Sequence, residues 1–276
     1  MTQSYASSPR EVAAFSTAAL RENFLIETIF EPGQVRLVYS HYDRLVVGGA
    51  LPGTGPLLLP CPEALKAAYF LERRELGILN IGGAGRVLVD GIAYDLGAQD
   101  CLYVGRGAQA VDFRSLNASE PAKFYLLSAP AHAAHPTARR TQAEATPVRM
   151  GAAETANART IYKYIYAEGI QSCQLVMGLT QLEPGSVWNT MPAHTHDRRT
   201  EAYLYFGLPE NQRVLHLMGQ PQETRPLWVS NEQAIISPPW SIHSGCGTSA
   251  YAFIWGMAGE NREYTDMDPV PLHGLF

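Results

Sequence analysis

The chain has 276 residues, 46% of them hydrophobic, which suffices for the core of one large β domain or of two barrels of ordinary size. A formal charge of -5 with no long Lys/Arg run argues against nucleic acid or an anionic membrane as the principal partner and favours a small soluble ligand. Residues 1–9 lack a basic segment leading into an apolar core, no later stretch reaches the roughly 18 apolar residues of a membrane span, and Cys61, Cys101, Cys173 and Cys246 form no C-x-x-C pair, so a cytoplasmic protein with reduced thiols is expected.

Residues 9–21, with Ser8 as N-cap and Val12, Phe15, Ala19 and Leu20 at helical spacing, predict one amphipathic helix packed on a barrel or a neighbouring subunit. From Phe24 onward, short β-rich runs at 35–39, 45–47, 76–81, 86–89, 101–104 and 124–127 are punctuated by Gly, Pro and Asn, the spacing of a sandwich or barrel. Gly82, Gly83 and Gly85 precede a strand pattern rather than a helix and predict a hairpin turn, not a dinucleotide fingerprint. Between His135 and Thr160 the composition turns to Ala, Thr, Arg and Glu without a strand pattern, which marks a connection. The β pattern resumes from Gln174 to Gly256.

The halves repeat. Arg73-Arg74-Glu75 with the runs at 76–81 and 86–89 parallels Arg198-Arg199-Thr200-Glu201 with the runs at 202–206 and 213–218. The expected organisation is a helical segment at 1–25, an N-terminal barrel at 26–140, a connection at 141–160 and a C-terminal barrel with a tail at 161–276. Setting Glu75 on Glu201 puts Ala68 and Phe70 where the second half has His194 and His196, so the first barrel is expected to be metal-free, with Arg73, Arg74 and Glu75 structural.

Candidate chemistry concentrates in the second half. Side chains two apart leave one face of a strand, so His194 and His196 reach one point if this stretch is extended; a helix would splay them by about 200°. Residues 197–200 suit a turn, after which the β-forming run from Glu201 returns antiparallel and brings its carboxylate opposite the histidines. His243, shortly after Pro238, arrives from a later strand end as a fourth ligand, and three imidazoles with one carboxylate suit a divalent metal. Tyr203 and Tyr205 share one strand face and either line the cavity or fill the core, while Tyr251, Phe253, Trp255 and Met257 read as one packed strand face. His216 and His132 read as satisfied core residues.

Gly185, then His194-x-His196-x4-Glu201-x5-Gly207, with Pro238 and His243 later, resembles the two motifs of the cupin superfamily, small β-barrels that hold a divalent metal between strands. In this chain eight residues rather than the usual five separate Gly185 from His194, and Trp240 stands where the second motif usually has Gly. The strings Tyr69-Phe-Leu-Glu-Arg-Arg-Glu-Leu-Gly77, Asn80-Ile-Gly-Gly-Ala-Gly85, Trp188-Asn-Thr-Met-Pro192, Met218-Gly-Gln-Pro-Gln-Glu-Thr-Arg225 and Phe253-Ile-Trp-Gly-Met257 look like the 4-deoxy-L-threo-5-hexosulose-uronate ketol-isomerases, and the resemblance runs from Phe24 to Asp268. It implies an all-β bicupin, two similar β-barrels of the double-stranded β-helix or jelly-roll type with an N-terminal helix. It further implies a hexameric zinc enzyme that converts 5-dehydro-4-deoxy-D-glucuronate into 3-deoxy-D-glycero-2,5-hexodiulosonate. The family's metal ligands fall by position on His194, His196, Glu201 and His243, each of the expected type. The same donors accept nickel, manganese or iron.

Such an isomerisation moves a proton between adjacent carbons and needs a base, and a uronate needs a cationic clamp. The base candidates are Glu223, Lys163, Tyr203, Tyr205 or a metal-bound hydroxide. The clamp candidates are Arg159, Lys163, Arg198, Arg199 and Arg225, with Arg159 and Lys163 first because Arg198 and Arg199 sit in the predicted turn and point to solvent. Rival readings are another cupin sugar isomerase, acting on 5-deoxy-glucuronate, a cupin dioxygenase with a redox-active metal, and a sugar-binding scaffold without turnover.

Overall fold

Each half of the chain folds into a seven-stranded sheet facing a four-stranded one, in a computed structural model that describes residues 1–276. The large sheet of the first half runs in the order Thr2–Ser4, Gln34–Ser40, Val46–Leu51, Phe124–Pro130, Arg74–Asn80, Cys101–Val104, Ala138–Arg140. That of the second half runs Pro147–Met150, Arg159–Ile165, Val176–Leu182, Ala252–Gly259, Arg199–Phe206, Gln233–Ser237, Leu25–Ile26. Read place by place, the five inner strands have the same topology and the small sheets correspond in the same way, as a duplication requires, whereas the edge strands differ, Thr2–Ser4 being parallel to its neighbour and Pro147–Met150 antiparallel.

Alternation along the strands sorts the side chains into two cores. In Arg74–Asn80, Leu76 and Ile78 join the interior of the first barrel, whereas Leu79 belongs to a larger cluster that runs through the second barrel and the contact between the two. Glu75 shares the face of Leu79, so it points away from its own barrel, while Glu201 points into its barrel. Pleat parity thus corrects the expected equivalence: the inward residue at the start of this first-barrel strand is Arg74, and a one-residue offset separates Glu75 from the position of Glu201.

The outward face of Glu75 has a structural use. Its carboxylate accepts the backbone N–H groups of Cys173, Gln174 and Leu175 at 2.6, 2.9 and 2.8 Å and the Tyr103 hydroxyl at 2.8 Å, tying the first barrel to the chain that enters the second. Beside it the sheets approach closely; a Cβ on Gly256 would lie 2.1 Å from Leu127 Cδ2, so any larger residue requires Leu127 to move.

Four sequence expectations change. The helix over 9–21 is two short helices, Pro9–Val12 and Thr17–Phe24, because the Ser16 side chain accepts the Ala19 N–H and caps a second start. Nor is segment 1–25 only helical: Thr2–Ser4 runs parallel to residues 38–40 of the first barrel, and Leu25–Ile26 closes the edge of the second at residues 234 and 235. The connection contains a strand, Pro147–Met150, paired with Arg159–Ile165; its side chains are exposed, which removes the apolar alternation that would reveal it. Finally, the turn at Gly82 and Gly83 is a corner between two sheets, not a hairpin, since the strands on either side pair elsewhere. The Asn80 side chain holds that corner through Gly82 N–H and Gly83 O, and a Cβ on Gly83 would lie 2.0 Å from Glu120 O. No helix is long and apolar enough to cross a membrane.

Candidate metal centre

His194–Thr195 is a two-residue strand, and its partner is the tail strand Asp268–Pro269 rather than Arg199–Phe206 as the sequence suggests. The turn after it closes through the Arg199 N–H, which donates to His196 O at 3.0 Å, and Glu201 enters two residues into the next strand. His243 follows the strand Gln233–Ser237, whose Ser237 pairs with Glu201. One ligand atom from each of His194, His196, Glu201 and His243 lies within 4.8 Å of all the others. Glu201 Oε2 is 2.9 Å from His196 Nε2 and 3.0 Å from His243 Nε2, and the Nε2 atoms of His194 and His243 are 3.0 Å apart.

The outer nitrogens show what this convergence needs. His196 Nδ1 is 2.9 Å from Arg199 O and His243 Nδ1 is 3.3 Å from Ser241 O; a carbonyl only accepts, so each Nδ1 carries the proton. Each Nε2 of the neutral ring then offers a lone pair, and these lone pairs meet a carboxylate in a site where His196, Glu201 and His243 are 1 to 3% exposed. Acceptors crowded together in low dielectric repel unless positive charge sits among them. The residues fit a divalent cation, which serves all four donors at once, and the backbone carbonyls fix the ring orientations as partners of metal-bound imidazoles do. Burial and the neighbouring His243 push His194 down to about 3, so it stays neutral and available as a ligand. In place of a cation, positive charge and N–H groups on His243 and His196 outweigh the burial of the Glu201 anion and hold the carboxyl well below the usual range.

A cavity of 490 Å³ opens onto the centre. His194, Glu201, Tyr203 and Arg159 are in its wall, as are Phe253, Trp255 and Met257, so the packed strand face of the sequence reading also serves as cavity lining. The Tyr203 hydroxyl pairs with Thr190 Oγ1 at 3.0 Å, and burial pushes it well above the usual phenol range. Tyr205 lies outside the wall; its hydroxyl is 2.7 Å from His216 Nδ1 within the core. His216 is therefore only half satisfied, since its Nε2 has no partner, and His132 is exposed rather than core. Lys163 is beside the cavity, its ammonium 4.9 Å from the ring centroids of Tyr166 and of the wall residue Tyr264.

Two candidates lie elsewhere. Glu223 is exposed on the small sheet, and the Arg225 guanidinium donates to the carbonyls of Val12, Ala13 and Phe15, where it secures the N-terminal segment. Neither faces the cavity, because their strand belongs to the sheet edge that the N-terminal helices cover. Arg198 and Arg199 do not point freely to solvent either. Arg198 pairs with Asp266 and Asp268 at 2.7 Å each, and the fully buried Arg199 donates to Glu263 O and Asp266 O at 2.7 Å each. Together they strap the tail across the barrel, which brings Tyr264, Thr265, Met267 and Pro269 into the cavity wall. Sequence reasoning missed these four residues, since the tail carries no periodicity; the paired acids Asp266 and Asp268 opposite two arginines were the available signal.

The model of the KduI/IolB family matches residues 24–273. The 4-deoxy-L-threo-5-hexosulose-uronate ketol-isomerase of Halalkalibacterium halodurans is 55% identical over 275 residues, covering 100% of both chains. That of Formosa agariphila is 55% identical over 264 residues, 96% of this chain and 94% of its own. Among solved structures, an IolB-like protein from Salmonella typhimurium aligns with a TM-score of 0.73 over 90% of this chain and 97% of its own at 15% identity. The oxalate decarboxylase of Lactobacillus farciminis aligns with a TM-score of 0.60 over 91% and 88% at 12% identity. At such identities the structural likeness concerns the fold, which is that of a bicupin.

Proposed function

The chain belongs to the KduI/IolB family, and we propose that it is a metal-dependent ketol-isomerase acting on 4-deoxy-L-threo-5-hexosulose uronate at the centre formed by His194, His196, Glu201 and His243. The observation that carries this reading is the convergence of those four donors on the wall of the second barrel's cavity. The reaction takes 5-dehydro-4-deoxy-D-glucuronate to 3-deoxy-D-glycero-2,5-hexodiulosonate. The C2 proton is removed, C1 receives a proton, and the carbonyl passes from C1 to C2 without an external redox partner.

A divalent cation held by the four ligands supplies Lewis-acid polarisation of the reacting oxygens, lowering the cost of the negative charge that develops there. The remaining steps belong to side chains of this chain. The substrate carboxylate and aldehyde stand at opposite ends of the hexuronate, so clamp and reaction centre must be separate parts of one cavity. Arg159 is the clamp: it is the cationic residue of the wall, and its planar fork suits a carboxylate. Tyr203 and Tyr264 keep their protons, since burial raises the first well above its usual range and the second to about 12, and therefore act as hydrogen-bond donors rather than bases. Of the amine and carboxylate bases considered, Lys163 stands beside the cavity and carries the proton in this reading, whereas Glu223 is excluded by its exposed position. Phe253, Trp255 and Met257, on the strand beside that of Glu201 and Tyr203, exclude water from that wall.

Zinc as the resident ion and a homohexamer complete the proposal, both carried from the ketol-isomerase resemblance. The exposed Leu58 and Ile92 on one small sheet, with Leu116 beside it, support a subunit interface. The test is to add the purified chain to unsaturated uronate released by a polysaccharide lyase and follow the C1 aldehyde by NMR. Its conversion to a C2 ketone supports the reading, and an unchanged spectrum with metal-loaded protein refutes it.

A further inference from the structure

The mouth of the first barrel has no histidine cluster, yet it too holds a cavity, of 220 Å³. Its position follows from the duplication: the strand Arg74–Asn80 is the counterpart of Arg199–Phe206, and the inward Arg74, paired with Pro130, stands where the second barrel has Arg199, paired with Gly259, two residues before Glu201. Arg44, Arg73 and Arg74 line this cavity together with Tyr39, and no carboxylate is in its wall. The Arg74 side chain is buried, with 7% of the residue exposed. Its Nε donates to Ser128 Oγ at 3.0 Å and its Nη2 to Arg44 O and Ser128 O at 2.6 and 2.8 Å, leaving Nη1 without a partner in the chain. Arg73 donates only to the carbonyls of Leu65 and Lys66, and the Arg44 guanidinium makes no hydrogen bond. The adjacent acid, Glu75, faces the other way and is occupied by four donors.

A buried guanidinium that satisfies three donor directions with neutral acceptors and none with a carboxylate retains an uncompensated charge. Burial lowers Arg74 to about 10, which leaves it cationic at neutral pH. We propose that this cavity is a second ligand site, which binds a small oxyanion, a carboxylate or a phosphate group, between Arg74 Nη1 and the guanidiniums of Arg44 and Arg73. The two barrel mouths then serve opposite charges: acceptors gathered for a cation in the second, donors gathered for an anion in the first. Leu65 and Phe70 form an apolar side to the same cavity, enough to receive a short carbon skeleton attached to the anion.

Calorimetric titration of the full, metal-loaded chain with inorganic phosphate, and separately with glucuronate, tests this. Saturable binding is expected to persist in His243→Ala, in which the other cavity loses a ligand, and to weaken by about tenfold or more in Arg44→Gln and Arg73→Gln, whose turnover stays unchanged. The anion that binds more tightly identifies the ligand class. Arg44→Gln and Arg73→Gln are used because both side chains are exposed and Arg74 is built into the strand. Three results would overturn the proposal: no saturable heat with either anion at millimolar concentration, equal affinity in parent and both arginine variants, or binding that disappears in His243→Ala. None of them bears on whether the second barrel isomerises its substrate.

Discussion

Residues decide function here through where lone pairs and protons point. With Nδ1 of His196 and His243 committed to backbone carbonyls, their Nε2 atoms and Glu201 gather acceptors that only positive charge reconciles. Glu201→Ala or His243→Ala is expected to lower metal affinity by more than about 100-fold and to remove turnover with it; metal analysis on the same preparations checks that both fall together. Arg159→Met should raise KM by about tenfold or more while the metal content stays that of the parent, as measured by steady-state kinetics. Acidity acts through two other imidazoles: His194 and His216 are held at about 3 mainly by burial, against an ordinary value near 6.5. Between those values the unfolded chain binds protons that the folded chain refuses, so stability is full above about pH 6.5 and falls progressively toward pH 3. Denaturant melts of the metal-free protein at several pH values should show this decline, and His216→Gln should make it shallower. The convergence of His194, His196, Glu201 and His243 was legible in the sequence from residue type and spacing, although the strand at His194–Thr195 ends before His196. Glu223 and Arg225 were not, because nearness in sequence does not say which side of a sheet is covered by another segment, here the N-terminal helices.

Among the elements, the tail from about residue 260 onward departs most from what the sequence discloses. Its strand Asp268–Pro269 pairs with His194–Thr195, and Arg198 and Arg199 bind it through Asp266, Asp268 and two backbone carbonyls. A short polar segment without alternation gives no periodic signal, whereas barrel strands such as Gly85–Val89 and Cys101–Val104, with apolar runs between Gly and Pro breaks, show in the sequence close to their observed bounds, and the more exposed Ile92–Leu96 does not. Arg198→Ala should loosen the tail and raise KM several-fold, with hydrogen exchange faster at residues 264–269 and unchanged in the core strands. The N-terminal helix illustrates a local competition of the same kind. Ser8 and Ser16 both cap, and the second cap interrupts what apolar spacing alone reads as one helix.

At the scale of the molecule, two barrels whose five inner strands share one topology have diverged in the charge their mouths present; the core of the second runs on through their contact, while the first keeps a core of its own. The joint depends on Glu75, and Glu75→Ala, which strands four donors, two of them fully buried, should destabilise the chain by about 3 kcal/mol or more in equilibrium unfolding while sparing metal content. The duplication was readable from the paired runs, but its register was not; a one-residue slip exchanges the faces of a strand, and only the observed pairing shows that Arg74 rather than Glu75 looks inward. The proposed function stands on isomerisation in the second barrel by means of a divalent metal held by His194, His196, Glu201 and His243. Turnover of lyase-derived uronate before chelation, after complete chelation and after metal is restored tests it most directly. Loss of activity on chelation and recovery with about one divalent ion per chain is the predicted result. Undiminished turnover by verified metal-free protein would contradict it.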